Sequence, residues 1–314
     1  MTQNFKKYLK IANGDRELAS EIPDSETVRI DGTVQPVREL LIGTDIQSTN
    51  LIQTEVLRTV TDGAEAVKCF RNALPIYTMN SNSMIVNVGS AGSYAPEVAE
   101  GAEVPNIDSN FTAVTFAAKK RAVRPMITRE LMKFGAVDLI EFEIAKAGKR
   151  VENSLNQKAL TVMLDGASLE KDTAGTNQGV AALAASIALV QDAGFLPDSV
   201  VMHPEFLAKV LAEFVPGQYD SSVRETGIIG RLLGLDVYVC GATGASATYT
   251  WGYAADGEIG AIVFAKDSGA AIGMAEDLSV EQFEDPVRDM SGMIVKSIFD
   301  VKILNSAAIC RIEY

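Results

Sequence analysis

Glu97, Glu100 and Glu103 recur at intervals of three, and Asp108 follows them in a stretch punctuated by Gly101 and Pro105. Carboxylates so spaced could hold a cation, or serve as a general acid if burial raised one of them. They fall at the tip of a two-stranded arm, however, where water keeps a carboxyl group near its ordinary pKa. Lys119, Lys120, Arg121 and Arg124 form a basic cluster at the root of the same arm. Opposite charges at the two ends favour neighbouring copies overlapping head to base; the alternative is a solvated loop and a solvated edge. Cation binding and acid catalysis are both poor readings of this set.

The remaining candidates are weaker. His203 is the one histidine, and it stands before Pro204 at the end of a short apolar run. That position suits a helix cap better than a catalytic base. One histidine leaves Ser–His or Cys–His chemistry a single possible base, and no Gly-x-Ser-x-Gly elbow accompanies it. A histidine-based metal site is equally poor. Gly89-Ser-Ala-Gly92 and Gly241-Ala-Thr-Gly244 lack both the dinucleotide fingerprint and a P-loop lysine. Tyr249, Trp251 and Tyr253 read as core or turn packing. Cys69, Cys240 and Cys310 are far apart among apolar neighbours, so they read as small buried hydrophobes. Their odd number fits a reducing compartment and no disulfide scaffold. No active site, cofactor site or metal site emerges.

Composition narrows the class. The 314 residues are 47% hydrophobic and 22% charged, which is ordinary for a folded protein of one elaborate domain or two. A net charge of −13 weighs against a nucleic-acid binder that neutralises phosphates, though not against one that merely encloses nucleic acid. The N-terminus has no apolar core of signal-peptide length, and no run reaches the roughly 18 apolar residues of a membrane span. A soluble chain made in the cytoplasm is the expectation.

The elements that would position the charged clusters are legible. Leu51, Ile52, Val56, Leu57 and Val60 suggest a helix from Thr49 to Val60, followed by Gly63; a short strand fits between Cys69 and Thr78. Met84, Val86 and Val88 alternate as one strand of the arm, and the return runs from Phe111 to Arg124 with Val114 and Phe116 facing one way. Thr128 caps a short helix, Arg129–Phe134. Asp138 and Glu141 have capping-box spacing, and Ile140, Ile144, Ala147, Val151, Leu155 and Val162 then recur at helical intervals to a stop at Gly166. Such a helix is roughly 40 Å long at 1.5 Å per residue. Glu152, Asn153 and Asn156 sit on its other faces, and Gly148 weakens it by about 1 kcal/mol relative to alanine. An Ala-rich helix from Val180, a strand ending at His203, a helix from Pro204 to Phe214 and strands at Leu235–Cys240 and Ile259–Ala265 imply an open α/β layer. Val280–Glu284, Met293–Phe299 and Ala307–Ile312 read as strands of a separate sheet.

This order of elements resembles the major capsid proteins of tailed bacteriophages and related archaeal viruses, the Hong Kong 97-type shell fold. The resemblance rests on Glu97-Val-Ala-Glu-Gly-Ala-Glu-Val-Pro105, the Phe111–Phe116 strand with its basic end, Ile127-Thr-Arg-Glu-Leu131 and the Asp138–Asp165 helix. Ser199-Val-Val-Met-His-Pro204, Gly230-Arg-Leu-Leu-Gly-Leu-Asp-Val-Tyr-Val239 and Phe264–Gly273 continue it. It covers roughly residues 50–314 and implies an α+β fold. In that fold residues 1–50 are an N-terminal arm and 51–83 lead into the peripheral domain. Residues 84–125 are the extended hairpin loop, 126–170 the peripheral domain with its spine helix, 171–272 the axial domain, and 273–314 closing peripheral strands.

The resemblance also implies a function. Copies of the chain would form hexamers and pentamers of an icosahedral shell around double-stranded DNA, without catalysis, cofactor, membrane or sequence-specific DNA binding. Glu97, Glu100, Glu103, Asp108, Lys119, Lys120, Arg121 and Arg124 would then be inter-subunit contacts. The implied setting is the virion capsid, assembled in the host cytoplasm with portal and decoration proteins as partners. The N-terminal section is too short for a fused scaffolding segment, so a separate scaffolding protein is expected. Residues 96–108 contain no lysine, which argues against a covalent cross-link from the tip. The alternatives are a cellular shell of the encapsulin type and, less consistent with the chain, an enzyme built on Val200–Cys240.

Overall fold

The computed structural model describes residues 27–30, 33–36, 59–65, 67–89, 97–98, 111–128, 138–173, 179–213, 230–241, 248–285 and 290–314. In chain order the elements are β1 (Thr27–Ile30), β2 (Thr33–Pro36), helix α1 (59–65), α2 (Phe70–Ala73), β3 (Ile76–Thr78), β4 (Ser83–Gly89), β5 (Phe111–Ala117), β6 (Lys119–Val123), β7 (Met126–Thr128) and α3 (Asp138–Gly166). They continue with β8 (Leu169–Asp172), α4 (Val180–Asp192), β9 (Ser199–Met202), α5 (Pro204–Glu213), β10 (Arg231–Leu232), β11 (Leu235–Val239), β12 (Thr250–Trp251), β13 (Glu258–Phe264), β14 (Ala270–Asp285), β15 (Met290–Ile303) and β16 (Ile309–Glu313). The chain divides into two compact units. Met1–Ala66, Arg121–Glu152 and Leu278–Ser297 form the first; Val67–Lys120, Asn153–Asp277 and Ile298–Tyr314 form the second. Among the described residues no helix is long and apolar enough to cross a membrane.

The first unit is built on helix-to-helix contact over a short strand layer. Val60 of α1, Ala147 and Val151 of α3 and Val295 of β15 form its core, with Val123, Leu278, Val280 and Met293 packed around them. The helix α1 runs on through Gly63 rather than ending before it. The cause is packing: a Cβ at Gly63 would stand 2.4 Å from the Ala145 carbonyl oxygen, so the helix keeps a residue that ordinarily stops one. Gly148 makes the reciprocal approach, 2.2 Å from the Val60 carbonyl oxygen. Here the glycine that weakens α3 as an isolated helix admits a neighbour's backbone. In the same unit β7 pairs antiparallel with β15, Met290 opposite Thr128. The expected helix Arg129–Phe134 and the Asp138/Glu141 capping box lie outside the described residues and side chains.

The second unit is a seven-stranded sheet, ordered β10-β11-β9-β13-β16-β8 with β12 on β13, covered on both faces. Burial on both sides explains why β9 is apolar at every position instead of alternating. Val201, Ile262 and Phe264 join Leu155, Ala159, Leu160, Met163 and Leu164 of α3 and Phe70 of α2 in one core. Val200, Met202, Ala261 and Val263 join Ala182 and Leu183 of α4 and Phe206 and Val210 of α5 in the other. Gly194, at a φ of +87°, closes α4 in a Schellman arrangement: the Phe195 N–H donates to the Val190 carbonyl at 3.1 Å and that of Gly194 to Gln191 at 2.9 Å.

Three expectations change in this unit. Cys69–Thr78 holds α2 before its strand, where a strand alone was expected. Asn156, expected on a polar face, is buried; its Oδ1 accepts from the Phe70 N–H at 3.3 Å and its Nδ2 donates to the Val67 carbonyl at 2.8 Å, fastening α2 to α3. The largest change concerns β16. Expected in a separate sheet with β14 and β15, it lies inside the seven-stranded sheet, antiparallel to β13 and parallel to β8. Its four buried residues from Ile309 to Ile312 need cover on both faces, which a place between two strands and two helical layers provides.

Candidate assembly surface

The hairpin of β4 and β5 is in strict antiparallel register, from Ser83 opposite Ala117 to Gly89 opposite Phe111. Alternation gives it two unlike faces. Met84, Val86, Val114 and Phe116 point into the second unit and pack with Met79, Tyr77, Ala271, Ile298 and Leu304. The Tyr77 and Phe116 rings meet edge to face at 6.3 Å. The root of the arm is thus seated on its own subunit, which supplies part of the cover that a two-stranded arm needs. The opposite face carries Ile85 and Phe111, 64% and 68% exposed, with Thr115, Asn87 and Ala113 beside them. The Phe111 ring lies over Gly89, within 3.6 Å of where a Cβ would stand. Two large apolar side chains on the outward face of a hairpin are a surface suited to partner contact.

The predicted charged residues divide. Glu97 is exposed, while Glu100, Glu103 and Asp108 lie outside the described residues. The bases do not continue β5 as expected. At its end the Ala117 N–H donates to the Asp300 carboxylate at 3.0 Å, and the Ala118 N–H turns back to the Asn82 carbonyl at 3.0 Å. The chain then begins β6, next to β15 in another sheet. Lys119, Lys120 and Arg121 therefore share a strand that has left the hairpin, and Lys119 and Lys120 are exposed on it; Arg124 is exposed just beyond. The structure brings three of the four bases onto one element.

Residues with chemical potential elsewhere are structural. The Glu205 N–H donates to His203 Nδ1 at 3.3 Å, so His203 caps α5, and its ring stands edge-on to Trp251 at 5.9 Å. Trp251 and Tyr253 are buried; the indole N–H donates to the Cys240 carbonyl at 3.0 Å. The three cysteines are buried thiols outside any disulfide, and burial pushes the Cys310 thiol up to about 11, away from thiolate chemistry. Among the described residues there is no cluster of three metal-type ligands.

One constellation was not foreseen. Arg311, buried in β16, donates through Nε to Glu170 at 2.8 Å and through Nη1 to the Ala167 and Leu164 carbonyls at 2.9 and 3.2 Å. Its Nη2 reaches the Tyr249 hydroxyl at 2.6 Å, and the guanidinium lies 4.0 Å from the centre of that ring. The cation closes the carbonyl end of α3, where the helix dipole favours it. A single arginine in an apolar strand carries no local signal for partners more than 140 residues earlier.

Comparison with known proteins bears on the family and the fold. A family model described as phage capsid protein matches residues 111–312. No curated protein matches the chain. Among solved structures, one from Mycobacterium phage Ogopogo is similar with a TM-score of 0.62 at 16% identity, over 78% of this chain and 91% of that one. A virus-like particle from Pyrococcus furiosus is similar at 0.58 and 14% identity, over 83% and 98%. The capsid of a native GTA particle is similar at 0.56 and 15% identity, over 80% and 90%.

Proposed function

The chain belongs to the phage capsid protein family and has the Hong Kong 97-type shell fold, and from that premise we propose that it assembles as hexamers and pentamers into an icosahedral shell enclosing double-stranded DNA. A shell-forming role follows from the family itself; the stoichiometry and the contents are our reading. The observation that carries it furthest is the two-faced hairpin. Its inner face is anchored by Met84 and Phe116, and its outer face leaves Ile85 and Phe111 exposed among the described residues. In this reading the hairpin, residues 84–117, keeps one face on its own subunit and lays the other over the adjacent copy, 126–170 and the later peripheral strands form the shell wall, and 171–272 gather around the capsomer axis. Glu97, Glu100, Glu103 and Asp108 meet a neighbour's Lys119, Lys120, Arg121 and Arg124. The protein has no catalytic task, and its net charge of −13 suits a wall that contains DNA without gripping it.

Electron microscopy of the purified protein, alone and co-expressed with a scaffolding partner, tests this. Rings, capsomers or closed shells are expected. A protein that stays monomeric at high concentration under all these conditions would rule the proposal out. The contents of assembled particles, DNA or cargo protein, separate a viral shell from a cellular compartment of the encapsulin type.

A further inference from the structure

Within the first unit α3 buries one side only. Ala147 and Val151 pack with Val60 and Val295, and Gly148 lies against the Val60 carbonyl oxygen. At 3.6 residues per turn Phe142, Lys146, Lys149 and Arg150 fall on the opposite side, in a strip about 12 Å long. Phe142 is 60% exposed, and Lys149 and Arg150 are exposed with it. Lys146 is already engaged: its ammonium stands 5.4 Å from the centre of the Phe142 ring and 3.3 Å from the Glu143 carboxylate. Among the described residues the side chains of Lys149 and Arg150 form no ion pair. Three cations gathered on one side of a helix run against a net charge of −13 for the whole chain.

We propose that this side of α3 docks an acidic amphipathic helix of a partner protein, whose carboxylates pair with Lys149 and Arg150 while an apolar residue covers Phe142. Two kinds of exposed group narrow the choice of partner. The uncommitted cations accept carboxylates or phosphates equally well. The exposed ring accepts neither; leaving water stabilises it only against an apolar group. A phosphate backbone therefore satisfies the bases and leaves Phe142 wet, whereas an acidic peptide with an apolar residue satisfies both. A helical peptide suits the strip because it repeats its own side chains at i, i+3 and i+4, the spacing that Phe142, Lys146, Lys149 and Arg150 present. Charge of opposite sign sets the register and speeds the encounter, and the ring supplies the anchor. The site goes beyond the proposed shell contacts and does not require them, since all four residues lie on one subunit.

Fluorescence anisotropy with the full-length protein tests the site, using a labelled Leu/Glu peptide of about 15 residues, near the shortest that holds a helix in water. Binding is expected, and it should weaken as salt rises from about 0.05 to 0.5 M. Lys149→Ala combined with Arg150→Ala should lower the affinity roughly three- to tenfold, and Phe142→Ala about fivefold or more. A peptide with serine in place of leucine should bind as weakly to the unmodified protein as the parent peptide binds to Phe142→Ala. No binding, or affinities that ignore these substitutions, would overturn the proposal. So would a DNA duplex that binds as tightly and is insensitive to Phe142→Ala, which gives the strip to phosphates. Loss of self-association in the variants without peptide binding gives it to a second copy and likewise overturns the proposal. If a variant does not fold, carbodiimide cross-linking of the peptide to the unmodified protein decides. Carboxylate links to Lys146 or Lys149 support the site, and links found only elsewhere overturn it.

Discussion

Gly148 in the middle of α3 meets the Val60 carbonyl so closely that a Cβ at residue 148 would stand 2.2 Å from the oxygen. Gly63 makes the matching approach to Ala145 at 2.4 Å, so α1 and α3 touch backbone to backbone at two points. Neither neighbour can rotate aside, since both are main-chain atoms.

Gly148→Ala should therefore destabilise the protein although alanine is the better helix former. The propensity gain is about 1 kcal/mol, whereas forcing a methyl against a fixed carbonyl costs about 1–3 kcal/mol or more. Chemical denaturation should show a lowered midpoint for Gly148→Ala and no appreciable change for Lys149→Ala at the exposed position beside it. An unchanged midpoint for Gly148→Ala would mean that the helices can separate freely.

Arg311→Met removes the cation that Glu170 and the carbonyls of Leu164 and Ala167 share. Breaking a buried ion pair from one side costs about 3–5 kcal/mol. The low end applies, because the Glu170 side chain is 34% exposed and keeps some water. Arg311→Lys should recover less than half of the loss, since one ammonium cannot serve a carboxylate, two carbonyls and a hydroxyl in different directions. Denaturant midpoints of the two variants give the comparison.

His203→Ala should cost about 1 kcal/mol, the usual worth of an N-cap. His203→Asn should restore most of it, because asparagine also offers an acceptor to the Glu205 N–H. Thermal melting distinguishes the two; equal losses would show that packing against Trp251 outweighs the cap.

Phe111→Asp and Ile85→Asp should leave folding within about 0.5 kcal/mol of the unmodified chain, as both sites are exposed. Shell yield by sedimentation should drop sharply for each. Reversal of Glu100 and Glu103 to lysine should likewise impair assembly more than folding. Normal shell yield in the reversed protein would count against the head-to-base overlap.

Local pattern carried much of this architecture and long-range pairing carried the rest. The α3 helix, 29 residues long, was readable because apolar residues recur at helical intervals from Ile140 to Val162 and Gly166 marks its stop. The strand before His203 and the helix at Pro204 were readable because proline marks the boundary. Sheet membership of β16 was not, since residues buried on both faces look the same in any sheet. The exit of the chain at Ala118 depends on Asp300, 183 residues away from Ala117, and Asn156 becomes buried only because α2 folds over it. Of the candidate surface, the two hairpin strands and their alternation, with Val114 and Phe116 on one face, were legible; the register was not. The departure of Lys119, Lys120 and Arg121 onto β6 was not, because the basic run continues β5 without a break in composition.

The position of β16 also sets an order of events during synthesis. Among the described residues strand β8 joins its sheet only through β16, and Arg311 reaches a partner 141 residues earlier. Until residues 309–313 have left the ribosome, β8 has no ladder to join and the carbonyl end of α3 lacks its cation. Such distant closure is slow compared with local structure. The second unit thus completes itself only after residues 309–313 are made, and chains that stop short of them lack the finished sheet from which to nucleate a shell.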